Sequence, residues 1–240
     1  MRIIVTRSGE DAELQAARLA ALGHQPVIHP LLQIDYPALP PIALDGVQAL
    51  ILTSRNALRG LSRNAAFEAA KSLPAYCVGE GTADGAREHG FAHTVTGEGT
   101  AKDLVPLIAQ SLRPQAGPLL YLTGAHLAFD LEAPLAQLGF AVTRLIVYES
   151  REPGEAAAAR FAGDLRSGVD GVILMSPRGA ANFIRIVKGF DLEREVRAIR
   201  CYCYSDAIAG ALSKINGLTV AVSRRPTEAE LMQLIGPVAA

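Results

Sequence analysis

The sequence predicts an α/β protein in which parallel sheets are flanked by helices and arranged as two similar lobes. Three observations predict it. First, short apolar runs alternate with helical patterns along all 240 residues, the mark of strand–helix–strand units. Second, the chain repeats itself. ALILTSRNA (49–57) is echoed by GVILMSPRGA (171–180), AYCVGEGTADGA (75–86) by CYCYSDAIAGA (201–211), and GTAKDLVPLI (99–108) by PTEAELMQLI (226–235). The starts of these pairs lie 122, 126 and 127 positions apart, and residues 3–27 resemble 119–143 in the same way. Third, two extended, proline-punctuated segments, 27–41 and 143–153, sit at matching places in the two repeats. Proline keeps such segments out of helix interiors and at sheet edges, so they read as two linkers crossing between lobes.

Each element has a local reason. Strands are expected at 2–6, 25–29, 48–53, 75–78, 92–95, 118–122, 141–147, 170–175, 199–204 and 219–222, where Val, Ile and Leu run nearly unbroken. That texture belongs to strands covered on both faces. Helices are expected at 9–22, 55–70, 80–89, 100–112, 125–138, 154–167, 178–187, 206–214 and 227–238. Leu14, Ala17, Leu19 and Leu22, then Gly23, fit an amphipathic helix with a glycine stop, and Leu131, Leu135, Leu138 and Gly139 repeat it. Two partitions follow from the repeat. The chain divides near 117, or it leaves the first lobe at the first linker and returns at the second. The linkers favour the second partition: 1–35 with 150–240, and 36–149 between them.

Composition narrows the partners. Half of the residues are hydrophobic and the formal net charge is −1, so neither nucleic acid nor a membrane surface is expected. No apolar run approaches the roughly 20 residues of a membrane span. The opening MRIIVTRSGEDAE lacks the shape of a signal peptide. Cys77, Cys201 and Cys203 lie in apolar runs, and the five histidines form no ligand-spaced cluster; no metal, disulfide or cofactor is expected. A cytoplasmic monomer acting on a small molecule is the expectation.

Ligands of parallel sheets bind beyond the carboxyl ends of the strands. Here those ends carry Arg7, Thr53, Ser54, Arg55, Gly79, Gly81, Thr82, Thr123, Gly124, Ser176, Arg178, Ser205 and Thr227. Each such end opens a helix, where free N–H groups and the positive dipole end favour anions. The same hydroxyls also suit helix capping. Dinucleotide, phosphate-loop and nucleophile-elbow glycine patterns are missing, and no nucleophile–base pair stands out. Positioning and backbone electrostatics are left to carry any chemistry.

Six segments carry a resemblance: IleLeuThrSerArgAsnAla (51–57), TyrCysValGlyGluGlyThrAla (76–83), LeuTyrLeuThrGly (120–124), IleValTyrGluSer (146–150), MetSerProArgGlyAla (175–180) and ProThrGluAlaGluLeu (226–231). In this order and spacing the chain resembles the uroporphyrinogen-III synthases. The resemblance implies two Rossmann-like lobes joined by two extended linkers, the first lobe being discontinuous. It implies a cofactor-free lyase that cyclises hydroxymethylbilane, a linear tetrapyrrole with eight carboxylates, with inversion of the terminal ring and loss of water. It assigns Tyr148 as candidate general acid and Thr82 as a second catalytic candidate. Thr53, Ser54, Ser176 and Thr227 match substrate-edge positions of the family. The pattern departs at Tyr204-Ser205-Asp206-Ala207-Ile208, where the family carries an Ile-Gly-x-Thr-type turn. A non-catalytic binding protein for an acidic small molecule is the alternative.

Overall fold

The computed structural model describes residues 1–127 and 129–238. The chain divides into two compact units: Met1–Gln33 with the chain from Arg151 onward, and Ile34–Ser150.

It opens with β1 (Arg2–Val5), α1 (Glu10–Ala21) and β2 (Gln25–Ile28). Glu10, Asp11 and Glu13 place negative charge in the first turn of α1, opposite the positive end of the helix dipole. Gly23, at φ 83°, ends the segment in the left-handed region that favours glycine. The buried stripe is Ala12, Gln15, Ala16 and Leu19; of the residues read from the sequence Leu19 lies on it, while Leu14 is 53% exposed.

The second unit follows. It contains β3 (Gln33–Asp35), β4 (Ala49–Leu52), α2 (Arg55–Leu61), α3 (Phe67–Ala70), β5 (Ala75–Cys77), α4 (Glu80–Glu88), β6 (Thr94–Thr96), α5 (Leu104–Ser111), β7 (Leu119–Gly124), α6 (Glu132–Gln137) and β8 (Val142–Arg151). The chain then returns to the first unit with α7 (Glu155–Arg166), β9 (Gly171–Leu174), α8 (Pro177–Gly189), α9 (Glu193–Arg197), β10 (Arg200–Cys203), α10 (Asp206–Ala211), β11 (Thr219–Val222) and α11 (Glu228–Ile235).

The first sheet runs β11-β10-β9-β1-β2 and the second β3-β8-β7-β4-β5-β6. Within the first, all four neighbouring pairs are parallel. In the second, the pairs from β8 to β6 are also parallel. The sequence repeat maps β1, β2, β9, β10 and β11 onto β7, β8, β4, β5 and β6. Under that mapping the two strand orders coincide, with β3 as an extra edge strand. Leaving β3 aside, each sheet therefore takes two neighbouring strands from one repeat and three from the other.

Both sheets are covered on both faces, and the faces alternate residue by residue as strand geometry requires. Leu50 and Leu52 enter one core while Ala49 and Ile51 enter the opposite one. In the first unit Ile4 faces one core, and Ile3 and Val5 face the other.

Several expected boundaries move. The helix read over 55–70 breaks into α2 and α3 because the side chain of Asn64 takes over local hydrogen bonding. Its Oδ1 accepts from Ile42 N at 3.1 Å and Ala66 N at 3.0 Å, and its Nδ2 donates to Pro40 O at 2.9 Å. Side-chain amides compete with helix bonds in this way. The helix read over 125–138 shrinks to α6, whose start is set by Asp130 Oδ1 accepting from Glu132 N at 2.9 Å. The segment read as a second linker is largely the strand β8, ten residues long.

Candidate functional site

A cavity lies at the carboxyl ends of strands in the second unit. It encloses about 450 Å³ and is lined by Thr53, Val78, Gly99, Thr100, Ala101, Lys102, Tyr121, Thr123, His126, Leu127, Phe129 and Tyr148. Hydroxyls, a lysine and a histidine stand among apolar walls, and none of these lining residues is acidic.

Two phenols face it. Tyr121, on β7 and 1% exposed, has its hydroxyl 3.4 Å from Thr53 Oγ1. Tyr148, on β8, is half-buried. Its place is set by an irregularity in the sheet: Thr123 pairs with Ile146, but Gly124 pairs with Tyr148. Bulges of this kind re-aim a side chain. The backbone closes behind it, as Ala125 N donates to Tyr148 O at 3.1 Å. The ring then rests directly on Gly124: a Cβ there would lie 2.6 Å from Tyr148 Cζ. Val147, skipped in the pairing, is buried against α2, where a Cβ on Gly60 would lie 2.4 Å from Val147 O.

One edge of the cavity is the turn leading into α5. Thr100 and Asp103 form a reciprocal capping box, with Asp103 Oδ2 accepting from Thr100 N at 3.0 Å and Thr100 Oγ1 at 2.7 Å. Gly99, at φ 114°, lets the chain bend there, and its N–H donates to Val78 O at 2.9 Å.

Thr53, Thr123, Gly124 and Tyr148 are thus brought together. Ser54, Arg55, Gly79, Gly81 and Thr82 lie at the neighbouring starts of α2 and α4. Ser54 caps α2 by accepting from Asn56 N at 3.1 Å. Arg55 Nε donates to Gly81 O at 2.6 Å, so the guanidinium lies across the first turn of α4. Gly79 is the N-cap of α4 and makes no side-chain cap, and a Cβ on it would lie 3.3 Å from Gly99 Cα. Thr82 is buried in that turn and does not line the cavity.

Arg7, Ser176, Arg178, Ser205 and Thr227 belong to the first unit. Ser176 caps α8 by accepting from Gly179 N at 3.0 Å, and Thr227 caps α11 by accepting from Glu230 N at 3.3 Å. Ser205 is the N-cap of α10 without a side-chain bond, and Asp206 sits in its first turn. Arg178 is partly exposed in the first turn of α8. Arg7 is already paired with Glu228 at 3.0 Å and Asp11 at 3.4 Å.

Sequence reasoning passed over Lys102, Tyr121, Leu127 and Phe129. Tyr121 reads as an ordinary core residue of an apolar strand, and 127 and 129 fall within the overlong helix read at 125–138. All three cysteines are buried and free. Burial pushes each thiol up to about 12, which makes them poor nucleophiles and poor metal ligands. Among the described residues no three His, Cys, Asp or Glu side chains are grouped to hold a metal, and no helix is long and apolar enough to cross a membrane.

The family model for uroporphyrinogen-III synthase HemD matches residues 13–233. The chain belongs to the uroporphyrinogen-III synthase family. Solved structures agree in fold. The uroporphyrinogen-III synthetase of Helicobacter pylori 26695 aligns with a TM-score of 0.65 at 16% identity, covering 98% of this chain and 97% of that one. A mutant uroporphyrinogen III synthase from the extremely thermophilic bacterium Thermus thermophilus aligns with a TM-score of 0.56 at 20% identity, covering 97% and 96%. No curated protein matches the sequence. Within a synthase of this family, the cavity offers phenolic and aliphatic hydroxyls, a lysine and a histidine, and no carboxylate among the described lining residues.

Proposed function

We propose that this chain is a working uroporphyrinogen-III synthase, closing hydroxymethylbilane to uroporphyrinogen III with inversion of the terminal ring. The observation that carries this reading is the family match over residues 13–233. The cavity beside Tyr148 supports it.

The chemistry asks little of nucleophiles and much of geometry. The C–O bond of the hydroxymethyl group breaks, and the departing oxygen needs a proton to leave as water. Tyr148 is the group proposed to supply it, by general-acid catalysis worth about 10²–10⁴-fold where geometry allows. The substituted carbon of the terminal ring then attacks the electron-poor methylene carbon, giving a spiro intermediate. The bond from the attacking carbon to its original bridge carbon then breaks, the bridge carbon bonds the ring's unsubstituted α carbon, and loss of the proton there restores the pyrroles and closes the macrocycle, so the net change is one water. The bilane closes unaided without inversion, so the protein must bias which carbon attacks. Holding the reacting carbons in one pose is the means, and effective molarity gains of this kind are large.

Thr53 and Thr123 on the wall are proposed to hydrogen-bond the bent substrate. The start of α4, where Arg55 lies across Gly81 and Glu80 is drawn to Arg87, is proposed to receive a substrate carboxylate at that guanidinium and the backbone N–H groups beside it. Thr82 is proposed to hold that turn in shape from inside, its N–H bonded to Gly79 O at 3.0 Å. The two compact units, Met1–Gln33 with the chain from Arg151 onward and Ile34–Ser150, are the proposed domains.

The test is direct. Purified chain is supplied with hydroxymethylbilane, and the porphyrin isomers are separated after oxidation. Type III product above the spontaneous background is expected. Type I alone, with uroporphyrin still bound, would favour the non-catalytic reading that the altered turn at 204–208 suggests.

A further inference from the structure

The sequence points to Arg7, Arg55 and Arg178 as carboxylate anchors, yet the structure neutralises Arg7, and arginines elsewhere in the chain are paired in the same way. Arg7 is held by Glu228 and Asp11, Arg87 by Glu80 and Asp84, and Arg225 by Glu230. An arginine satisfied by protein carboxylates has little left to offer a substrate carboxylate.

Lys102 differs. It stands on the cavity rim, is exposed, and its side chain makes no hydrogen bond or ion pair among the described residues. The acid nearest in sequence, Asp103, has one carboxylate oxygen committed to the N–H and hydroxyl of Thr100 in the capping box. The same box fixes the turn from which Lys102 projects. His126 lines the same cavity, exposed and likewise without a side-chain partner among the described residues. The other described lining residues are apolar, hydroxylated or glycine, with no acid among them to oppose an anion. A cavity of about 450 Å³ falls within the roughly 300–1,000 Å³ of small-molecule sites. It suits one substituted ring rather than a whole macrocycle.

We propose that Lys102 and His126 are side-chain anchors that grip the carboxylate arms of one pyrrole ring while its face lies against the apolar wall between them. This rests on the synthase reading and names how one ring of that substrate is selected. Lys102 supplies a flexible point charge, and His126 supplies a directional donor. Rings carrying two carboxylates each are then preferred over rings whose acetate arms are methyl groups.

The experiment reads binding and turnover separately. Uroporphyrin III, with eight carboxylates, and coproporphyrin III, with four, are titrated by fluorescence at low salt into the wild-type chain and into Lys102→Met, Lys102→Arg and His126→Ala. A charged hydrogen bond at a solvent-open rim is worth the lower end of its usual range. Lys102→Met is therefore expected to weaken uroporphyrin binding by about three- to ten-fold. Lys102→Arg should restore it to within about two-fold, since charge rather than shape is needed at the rim. His126→Ala should give a smaller loss in the same direction. The preference for uroporphyrin over coproporphyrin should narrow in Lys102→Met. With hydroxymethylbilane, KM should rise while kcat holds, the sign of lost uniform binding. Equal uroporphyrin affinity in wild type and Lys102→Met, with both folded by circular dichroism, overturns the proposal. A wild-type chain that forms no type III isomer yet binds uroporphyrin through Lys102 would overturn the synthase reading and leave the anchors standing.

Discussion

Replacing Gly124 by alanine tests the placement of Tyr148 without touching its hydroxyl. The new Cβ would lie 2.6 Å from Tyr148 Cζ, 2.7 Å from Cε2 and 2.9 Å from the hydroxyl oxygen. Carbon atoms pack at about 3.5–4.0 Å, so the ring must withdraw by about 1 Å. Gly124 is not among the residues with positive φ, so the methyl group brings a side-chain clash and no left-handed backbone strain. Overpacking of this kind costs about 1–3 kcal/mol of stability. A domain of ordinary stability, about 5–15 kcal/mol, stays folded after that loss. Catalysis is less forgiving, because a displacement of about 1 Å at a reacting group can cost about 10²-fold. The assay is the initial rate of type III formation at saturating hydroxymethylbilane, with thermal melting by circular dichroism beside it. The expected result is a modest drop in Tm and a fall in kcat of about 10²-fold. In Tyr148→Phe the hydroxyl is already gone, so adding Gly124→Ala should cost much less than it does alone. A folded Gly124→Ala with wild-type kcat, or full additivity with Tyr148→Phe, would refute the placement of Tyr148 at the leaving group.

Tyr148→Phe alone should lower kcat by about 10²-fold or more, as removal of a general acid does; unchanged turnover removes the phenol from the mechanism. Gly60→Ala should lower thermal stability by about 1–3 kcal/mol or more, because its Cβ would meet the Val147 carbonyl, which is backbone and cannot swing away; a melting curve identical to wild type would contradict this. Asp164 has its pKa lowered, first by the hydrogen bond that His29 Nε2–H donates at 2.5 Å and further by Arg2, against the opposing effect of burial. Its contribution to stability is therefore full above the ordinary carboxylate value of 3.8 and is lost as pH falls through the lower folded value. Asp164→Asn should be less stable than wild type at neutral pH, and the gap should close on acidification; a gap that is constant with pH in denaturant titrations would disprove the linkage. The three cysteines, buried and pushed up to about 12, should resist a thiol reagent at neutral pH until the chain is unfolded, whereas rapid labelling of folded protein would show that they are accessible.

The repeat was the part of the fold most legible in the sequence, because strands such as 49–52 and 171–174 are uniformly apolar and each is followed by a serine that caps the next helix. Length was harder to read than existence. Nothing in SRNAA (62–66) announces a break, since the break depends on Asn64 reaching carbonyls and N–H groups some 22 to 24 positions away. The three-residue β3 is too short for any periodicity to register. The five-residue α9, EREVR, offers a single buried residue, Val196. At the site, Thr53, Thr123 and Gly124 could be named because they lie at strand ends, where parallel sheets bind, whereas Tyr148, inside β8, could be named only through the family resemblance. The capping roles of Ser54, Ser176 and Thr227 were legible as an alternative, and local hydrogen bonding satisfies that alternative. The pairing of Arg7 with Glu228 could not be read, because the two lie 221 positions apart. Nor could Lys102, which matters only because its turn is brought beside the ends of β4 and β7.

The most direct measurement is amide-shift mapping by NMR while uroporphyrinogen III is titrated, anaerobically, into isotopically labelled chain. If one ring of the tetrapyrrole is held where Tyr148 stands, the largest shifts fall at Thr53, Val78, Gly99 to Lys102, Thr123 and Tyr148. Saturable binding that leaves these amides unmoved would contradict it.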